Sequence, residues 1–225
     1  MKTFFIHAKL NTDLTIPEKE IKKLPQRIAL VTNIQHLHKL GEVKQQLAKA
    51  GKTVFLAGQI LGCRAESAAK FEDRVDAFLY VGSGEFHPLK VAMQTQKHVF
   101  CWNPKTRGMS VVSEKTKQEY ADFNLRQLNR FYHAKRVGIL ISTKTGQSDN
   151  KINAFSVELK MKKALQLKAR KDKEYFLFAF DTLSMYELEN FPFIDCWVNT
   201  ACSRIADEKL NIINIDTIFA HEASA

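Results

Sequence analysis

The residues best suited to chemistry are two cysteines in runs of small residues that follow apolar stretches. One is Cys63, which closes GQILGC (58–63) and precedes Arg64; the other is Cys202 in VNTACSRIA (198–206), two residues before Arg204. A nearby cation and a following helix start both favour a thiolate, which is a nucleophile and a ligand for soft metals and iron–sulfur clusters. Residue types alone leave several roles open for this pair: packing, metal ligation with zinc as well as iron, or, for Cys63, a nucleophile paired with His36 or His87. The chain has four cysteines and no CxxC pair, so local zinc-finger and ferredoxin signatures are absent. A metal site would have to be assembled from distant segments. Cys101 and Cys196 lie within apolar strands and read as small buried hydrophobes.

Three more loops carry polar groups: Gln35–His38, GSGEFHPL (82–89) and STKTGQ (142–147). Each has a plain reading when taken singly. Glycines make tight turns, histidines sit on surfaces or at caps, and GSG before a helix lacks both the GxGxxG and the Walker pattern.

The elements that must position these loops alternate. RIALVTN (27–33), KTVFLAG (52–58), VDAFLYVG (75–82) and KHVFCWNP (97–104) read as strands. Helices are expected over 39–50 with Gly51 as the stop, over 64–72, and from about Leu89. An amphipathic helix, Ser113–His133, follows. The pattern then restarts with a strand at 136–143, a helix at 150–168, and strands at 174–180, 195–201 and 211–216. Near-continuous apolar strands separated by helices predict an α/β fold with two related domains, each a mostly parallel sheet flanked by helices. The two halves are alike in layout, as after an internal duplication. The five loops fall at the carboxyl ends of strands, where ligands bind in open parallel sheets.

A chain of 225 residues, 45% of them hydrophobic, supports one large domain or two small ones. The net charge of +10 fits either a solvated basic surface or an anionic partner such as RNA, an acidic protein or a phosphate-bearing ligand. The longest basic cluster, Lys160–Lys173, lacks the interleaved aromatics of a single-strand reader. No apolar run reaches the ~18 residues of a membrane span, and the run in MKTFFIHAKL is too short for a signal-peptide core. A cytoplasmic setting with reduced cysteines is expected, with neither membrane nor DNA as partner.

Together, VTNIQHLHKL (31–40), GQILGC, YVGSGEFHPL, STKTGQ and VNTACSRIA stand in one order and spacing, and the set resembles the diphthamide synthase family over roughly residues 27–206. The resemblance implies an enzyme that transfers the 3-amino-3-carboxypropyl group of S-adenosylmethionine to a histidine of translation elongation factor 2. It implies noncanonical radical chemistry at a 4Fe-4S cluster held by one cysteine from each of three α/β domains. On this resemblance Cys63 and Cys202 are cluster ligands. Gln147 and Arg204 line the S-adenosylmethionine pocket, and Gly84 and His87 are grouped with them. The implied layout is a remnant strand and link from a first domain at 1–18, a second-type domain at 19–112, a linking helix at 113–134 and a third-type domain at 135–225. The expected partners are a chain carrying the first domain and third cysteine, and elongation factor 2, with a homo- or heterodimer also possible. The alternatives are a non-catalytic accessory subunit of a heteromeric synthase and a basic ribosome- or RNA-associated binding module. Ser203 departs from the family's usual proline, and a serine there can still cap the residues after it.

Overall fold

Two similar strands begin two sheets: β1 is Arg27–Thr32 (RIALVT) and β6 is Arg136–Ser142 (RVGILIS). The computed structural model describes residues 6–60, 65–143, 154–207 and 211–224. It divides into two compact units, Met1–Glu119 and Tyr120–Ala225.

In the first unit, β2 (Thr53–Gln59), β3 (Ala77–Val81) and β4 (His98–Asn103) run parallel with β1, and β5 (Gly108–Val111) turns back antiparallel on β4. The strand order is β2-β1-β3-β4-β5. Its helices are α1 (Glu18–Ile21), α2 (Leu40–Lys49), α3 (Glu66–Ala69) and α4 (Phe86–Gln94). α5 (Glu114–His133) contains the division point between the units. In the second unit, β7 (Glu174–Phe180), β8 (Cys196–Asn199) and β9 (Ile212–Asn214) make an all-parallel sheet ordered β7-β6-β8-β9. α6 (Ala154–Lys168), α7 (Met185–Leu188) and α8 (Ile215–Ser224) accompany it.

Every residue of β3 is buried, so its alternating side chains feed two cores. Leu79 and Val81 pack with Leu30, Leu47 and Trp102 on one face, while Phe78 and Tyr80 pack with Val31, Val91 and Val99 on the other. The second unit repeats this: Val137, Ile139 and Val198 meet Phe131, Leu167 and Ile218, and Trp197 meets Phe176, Phe178 and Phe191 on the opposite face. Both sheets are braced alike at their amino ends. Arg27 donates from its backbone N and its guanidinium to Asp76, just before β3. Arg136 donates from the same groups to Asp195, just before β8.

The α/β class and the two mostly parallel sheets agree with the sequence pattern. The details differ in four places. The helix expected over 64–72 is confined, within the described residues, to α3 and a 3-10 turn at Glu72–Arg74. α4 starts at Phe86 rather than Leu89, because Pro88 falls in its first turn, where a missing N–H costs no hydrogen bond. The stretch at 211–216 divides, with Ile215 and Asp216 opening α8. β5 has no counterpart in the apolar pattern; it follows a turn in which the Asn103 side chain accepts from the Lys105 and Thr106 N–H groups and Arg107 adopts φ 54°. The Ser113 side chain caps α5 by accepting from the Thr116 N–H.

Much of the basic cluster is tied down inside the second unit. Lys163 pairs with Asp216 and Arg170 pairs bidentately with Glu222, while Lys168 and Lys173 donate to backbone carbonyls of Tyr175, Tyr132 and Ala134. Among the described residues no helix is long and apolar enough to cross a membrane.

Candidate functional site

In each sheet the strand order reverses between the unit's first and third strands, β1/β3 and β6/β8. Crevices at such reversals, outside the carboxyl ends, are the usual ligand sites of open α/β sheets. A threonine hydroxyl ties the two strands together at each point: Thr32 Oγ1 donates to the Val81 carbonyl at 2.6 Å, and Thr200 Oγ1 to the Leu140 carbonyl at 2.7 Å.

In the first unit, β2 reaches this end through a bulge. Pairing jumps from Leu30–Leu56 to Val31–Gly58, which leaves Ala57 without a partner, and Gly58 takes φ 83°. A bulge re-aims the chain that follows it. Ile60 is buried and its N–H donates to the Thr32 carbonyl at 2.8 Å. Beyond the segment that holds Cys63, the Ala65 N–H donates to the Gln94 side chain at 3.1 Å. Cys63 itself lies outside the described residues, so no pairing of it with His36 or His87 is on view.

The loop after β3 is built on Tyr80. Burial pushes the Tyr80 phenol up to about 12, so it remains a neutral donor. It donates to the Ser83 carbonyl at 3.2 Å and accepts from Asn33 Nδ2 at 3.4 Å. A Cβ on Gly82 would stand 2.6 Å from the Tyr80 hydroxyl, at φ 155°, so a side chain is excluded there on two counts. His87 stacks on the Tyr80 ring with centroids 6.0 Å apart and planes 9° from parallel. Gly84, at φ 80°, borders a cavity of about 140 Å³ lined also by Glu85, Cys101, Asn103, Ser110 and Thr116. Cys101 is half-buried rather than fully buried, and desolvation raises its thiol to about 12. His36 is buried, and its Nδ1 has no hydrogen-bond partner among the described residues. Burial first, then the charges of His38 and Lys39, lower its pKa and keep the imidazole neutral.

In the second unit β8 runs directly into the Cys202 turn. Cys202 is exposed, whereas Cys196 is fully buried with its thiol raised to about 12 by desolvation. Among the three described cysteines, Cys202 is the exposed one. Arg204 is exposed in the 3-10 turn Ser203–Asp207. Gln147 lies outside the described residues. Ser203 does not cap: its Oγ is buried without a partner among the described residues, and its carbonyl is taken by Asn214 Nδ2 at 3.1 Å. What holds this turn is Asn199, which sequence reading did not single out. The available signal was a polar residue at the end of the buried run CWVN, three positions before the cysteine. Among the described residues no three His, Cys, Asp or Glu side chains gather as a metal site. The donor chemistry suits an iron–sulfur cluster, with Cys202 as one thiolate, if further thiolates arrive from elsewhere.

Mostly parallel sheets whose order begins 2-1-3-4, with polar and thiol residues in the loops at their carboxyl ends, define an open, doubly wound α/β protein. A family model for diphthamide synthesis proteins matches residues 1–209, and the chain belongs to that family. The 2-(3-amino-3-carboxypropyl)histidine synthase of Pyrococcus horikoshii is 32% identical over 196 residues, covering 83% of this chain and 53% of the relative. That of Methanocaldococcus jannaschii is 27% identical over 217 residues, covering 91% and 56%. The crystal structure of Dph2 from Pyrococcus horikoshii with a 4Fe-4S cluster superposes with a TM-score of 0.75 at 27% identity, covering 92% of this chain and 60% of that one. The chain thus spans about half the length of the curated relatives it matches.

Proposed function

We propose that this chain supplies two of the three cysteine ligands, Cys63 and Cys202, of a 4Fe-4S cluster in a 2-(3-amino-3-carboxypropyl)histidine synthase. The third ligand comes from a first domain outside these 225 residues. When bound, the cluster supplies the iron site and the electron for cleaving S-adenosylmethionine, whose 3-amino-3-carboxypropyl group goes to a histidine of translation elongation factor 2. The chain's own residues bind and orient. The Cys202 turn presents an accessible thiol at the β6/β8 reversal. The Arg204 guanidinium suits a bidentate pair with the methionine carboxylate, and the Gln147 amide can donate to and accept from the same molecule. Gly84 and His87 border the cosubstrate from the GSGEFHPL loop, where Tyr80 fixes the ring of His87.

The observation that carries this reading is the sorting of the described cysteines. Cys101 and Cys196 are held as thiols at about 12, while Cys202 faces solvent on the family's motif loop. The binding-module alternative gains little from the basic cluster, since its Lys163, Lys168, Arg170 and Lys173 are engaged within the unit.

The test is anaerobic iron–sulfur reconstitution of this chain alone and with a polypeptide carrying the remaining family domain. Iron per protein and the low-temperature electron spin resonance of the reduced sample are read. A 4Fe-4S signal is expected in the pair, and Cys63→Ala and Cys202→Ala should each abolish it. A pair that takes up no iron overturns the catalytic reading in favour of an accessory or binding role.

A further inference from the structure

Asn199 is the last residue of β8 and sits in register with Asn214, the last of β9. It is 1% exposed. Its Nδ2 donates to the Cys202 carbonyl at 2.8 Å and to Asn214 Oδ1 at 2.7 Å, and its Oδ1 accepts from the Ala201 N–H at 2.9 Å. Asn214 Nδ2 in turn donates to the Ser203 carbonyl. The Cys202 carbonyl also accepts from the Ile205 N–H at 3.0 Å. Both donor hydrogens of Asn199 are therefore used, and the successive carbonyls of Cys202 and Ser203 are both turned into the protein.

Two apolar side chains at this register would bind β8 to β9 equally well and need no partners. What the amides add is direction: they fix the backbone on either side of the cysteine's α-carbon, which leaves the thiol facing outward. The first unit clamps the matching position in a simpler way. Counting from the shared Asp76/Asp195 brace, Tyr80 matches Asn199 and Ser83 matches Cys202, and the Tyr80 hydroxyl donates to the Ser83 carbonyl. Where the unit carries a serine, the Tyr80 hydroxyl holds the turn; where it carries the thiol, a network through two side-chain amides holds it.

We infer that the buried Asn199–Asn214 pair is a positioning device that aims the Cys202 thiol, acting as one unit; the inference rests on Cys202 serving as a cluster ligand. Outer groups that orient ligating side chains are a general feature of metal sites.

The test uses the whole chain carrying Cys63→Ala, and alkylation is read on the peptide that holds Cys202, apart from those of the half-buried Cys101 and buried Cys196. Its rate of alkylation by iodoacetamide is followed by mass spectrometry for Asn199→Ala, Asn214→Ala and the double variant. Iron retention is followed in parallel in the reconstituted pair with Cys63 intact. Each single variant should change the alkylation rate at least threefold and lower iron retention at least fivefold, and the double variant should go no further than the larger single, because the two amides form one network. Thr200→Val, which removes the hydroxyl's bond to the Leu140 carbonyl and touches neither the Cys202 nor the Ser203 carbonyl, should leave both readouts within twofold. Asn199→Asp keeps the size and the acceptor but cannot donate, and so replaces Asn199→Ala if that variant melts early by circular dichroism. Unchanged alkylation and unchanged iron in folded variants, or singles that simply add, overturn the clamp while leaving the ligand reading intact. If the parent chain takes up no iron, the ligand reading falls. The alkylation cycle then decides the clamp alone: coupled changes uphold it and flat rates overturn it.

Discussion

The two units share a frame and differ at the carboxyl ends of their sheets. At the amino ends the brace is the same in both: an arginine opening the first strand, bonded through backbone and guanidinium to an aspartate that precedes the third. In mid-sheet they differ by compensation. Ala29 lies beside Phe78 in the first unit, and the matching pair in the second is Gly138 beside Trp197. The larger ring has displaced a methyl group. At the carboxyl ends they part, with a Tyr80–Ser83 bond in one and an Asn199–Cys202 bond in the other. The parts that carry the sheet are interchangeable in kind between the units, and the loops at the carboxyl ends are not.

The mid-sheet exchange offers the largest effect. A Cβ on Gly138 would lie 2.4 Å from two ring atoms of Trp197 and 3.2 Å from Phe178. Those neighbours are ring carbons packed in a core and cannot swing away. Gly138→Ala is expected to lower unfolding free energy by about 3 kcal/mol, at the upper end of overpacking costs. The double variant Gly138→Ala, Trp197→Phe recreates the first unit's pair and should recover more than half of that loss in urea denaturation. If the two losses simply add, the units are not related by exchange at this position.

How far this was legible in the sequence depended on the range over which each feature is encoded. β1, β3, β4, β6 and β7 are near-continuous apolar runs bounded by turn residues, so local pattern suffices to find them. Cys196 was readable as packing because its neighbours within one strand are apolar. β5 was not legible, since its pairing with β4 depends on the Asn103 side-chain turn and not on periodicity. Nor were the roles of Tyr80 and Asn199. Asn199 meets Asn214 only because β8 and β9 align in register across fifteen residues, and a single sequence does not display register.

Tyr80 gives the intermediate test. Tyr80→Phe removes a buried hydroxyl that donates to Ser83 and accepts from Asn33, and should cost about 1 kcal/mol. Amide hydrogen exchange over residues 82–87 should rise with it, since the Ser83 carbonyl is released. Exchange around Cys202 should not change, because the matching clamp there is a separate pair of amides. Equal loosening in both loops would break the comparison.

The smallest expected effect is in pH dependence, and it again separates the units. His36 in the first unit is buried and its pKa is held below its ordinary 6.5, chiefly by desolvation. His133 and His221 in the second are exposed. A base that resists protonation when folded binds its proton more readily when unfolded. The stability that neutral His36 contributes is therefore complete above about pH 6.5 and is lost as pH falls below that value. The chain's two tryptophans report the units separately, since Trp102 lies in the first core and Trp197 in the second. Fluorescence-detected urea midpoints in the single-tryptophan variants Trp197→Phe and Trp102→Phe should diverge between pH 7 and 5, with the Trp102 transition falling further. His36→Leu should flatten that fall, because the substitution removes both the titrating group and its unpartnered Nδ1. Parallel decline of the two transitions between pH 7 and 5, or a fall that survives His36→Leu, would place that acid sensitivity in groups other than His36. The braced carboxylates Asp76 and Asp195 act at lower pH. Their pKa values are lowered by the hydrogen bonds from Arg27 and Arg136, so they release stability only as pH drops below the ordinary carboxylate value of 3.8. That window lies under the one in which His36 acts, and a scan from pH 7 to 3 resolves the two contributions on one protein.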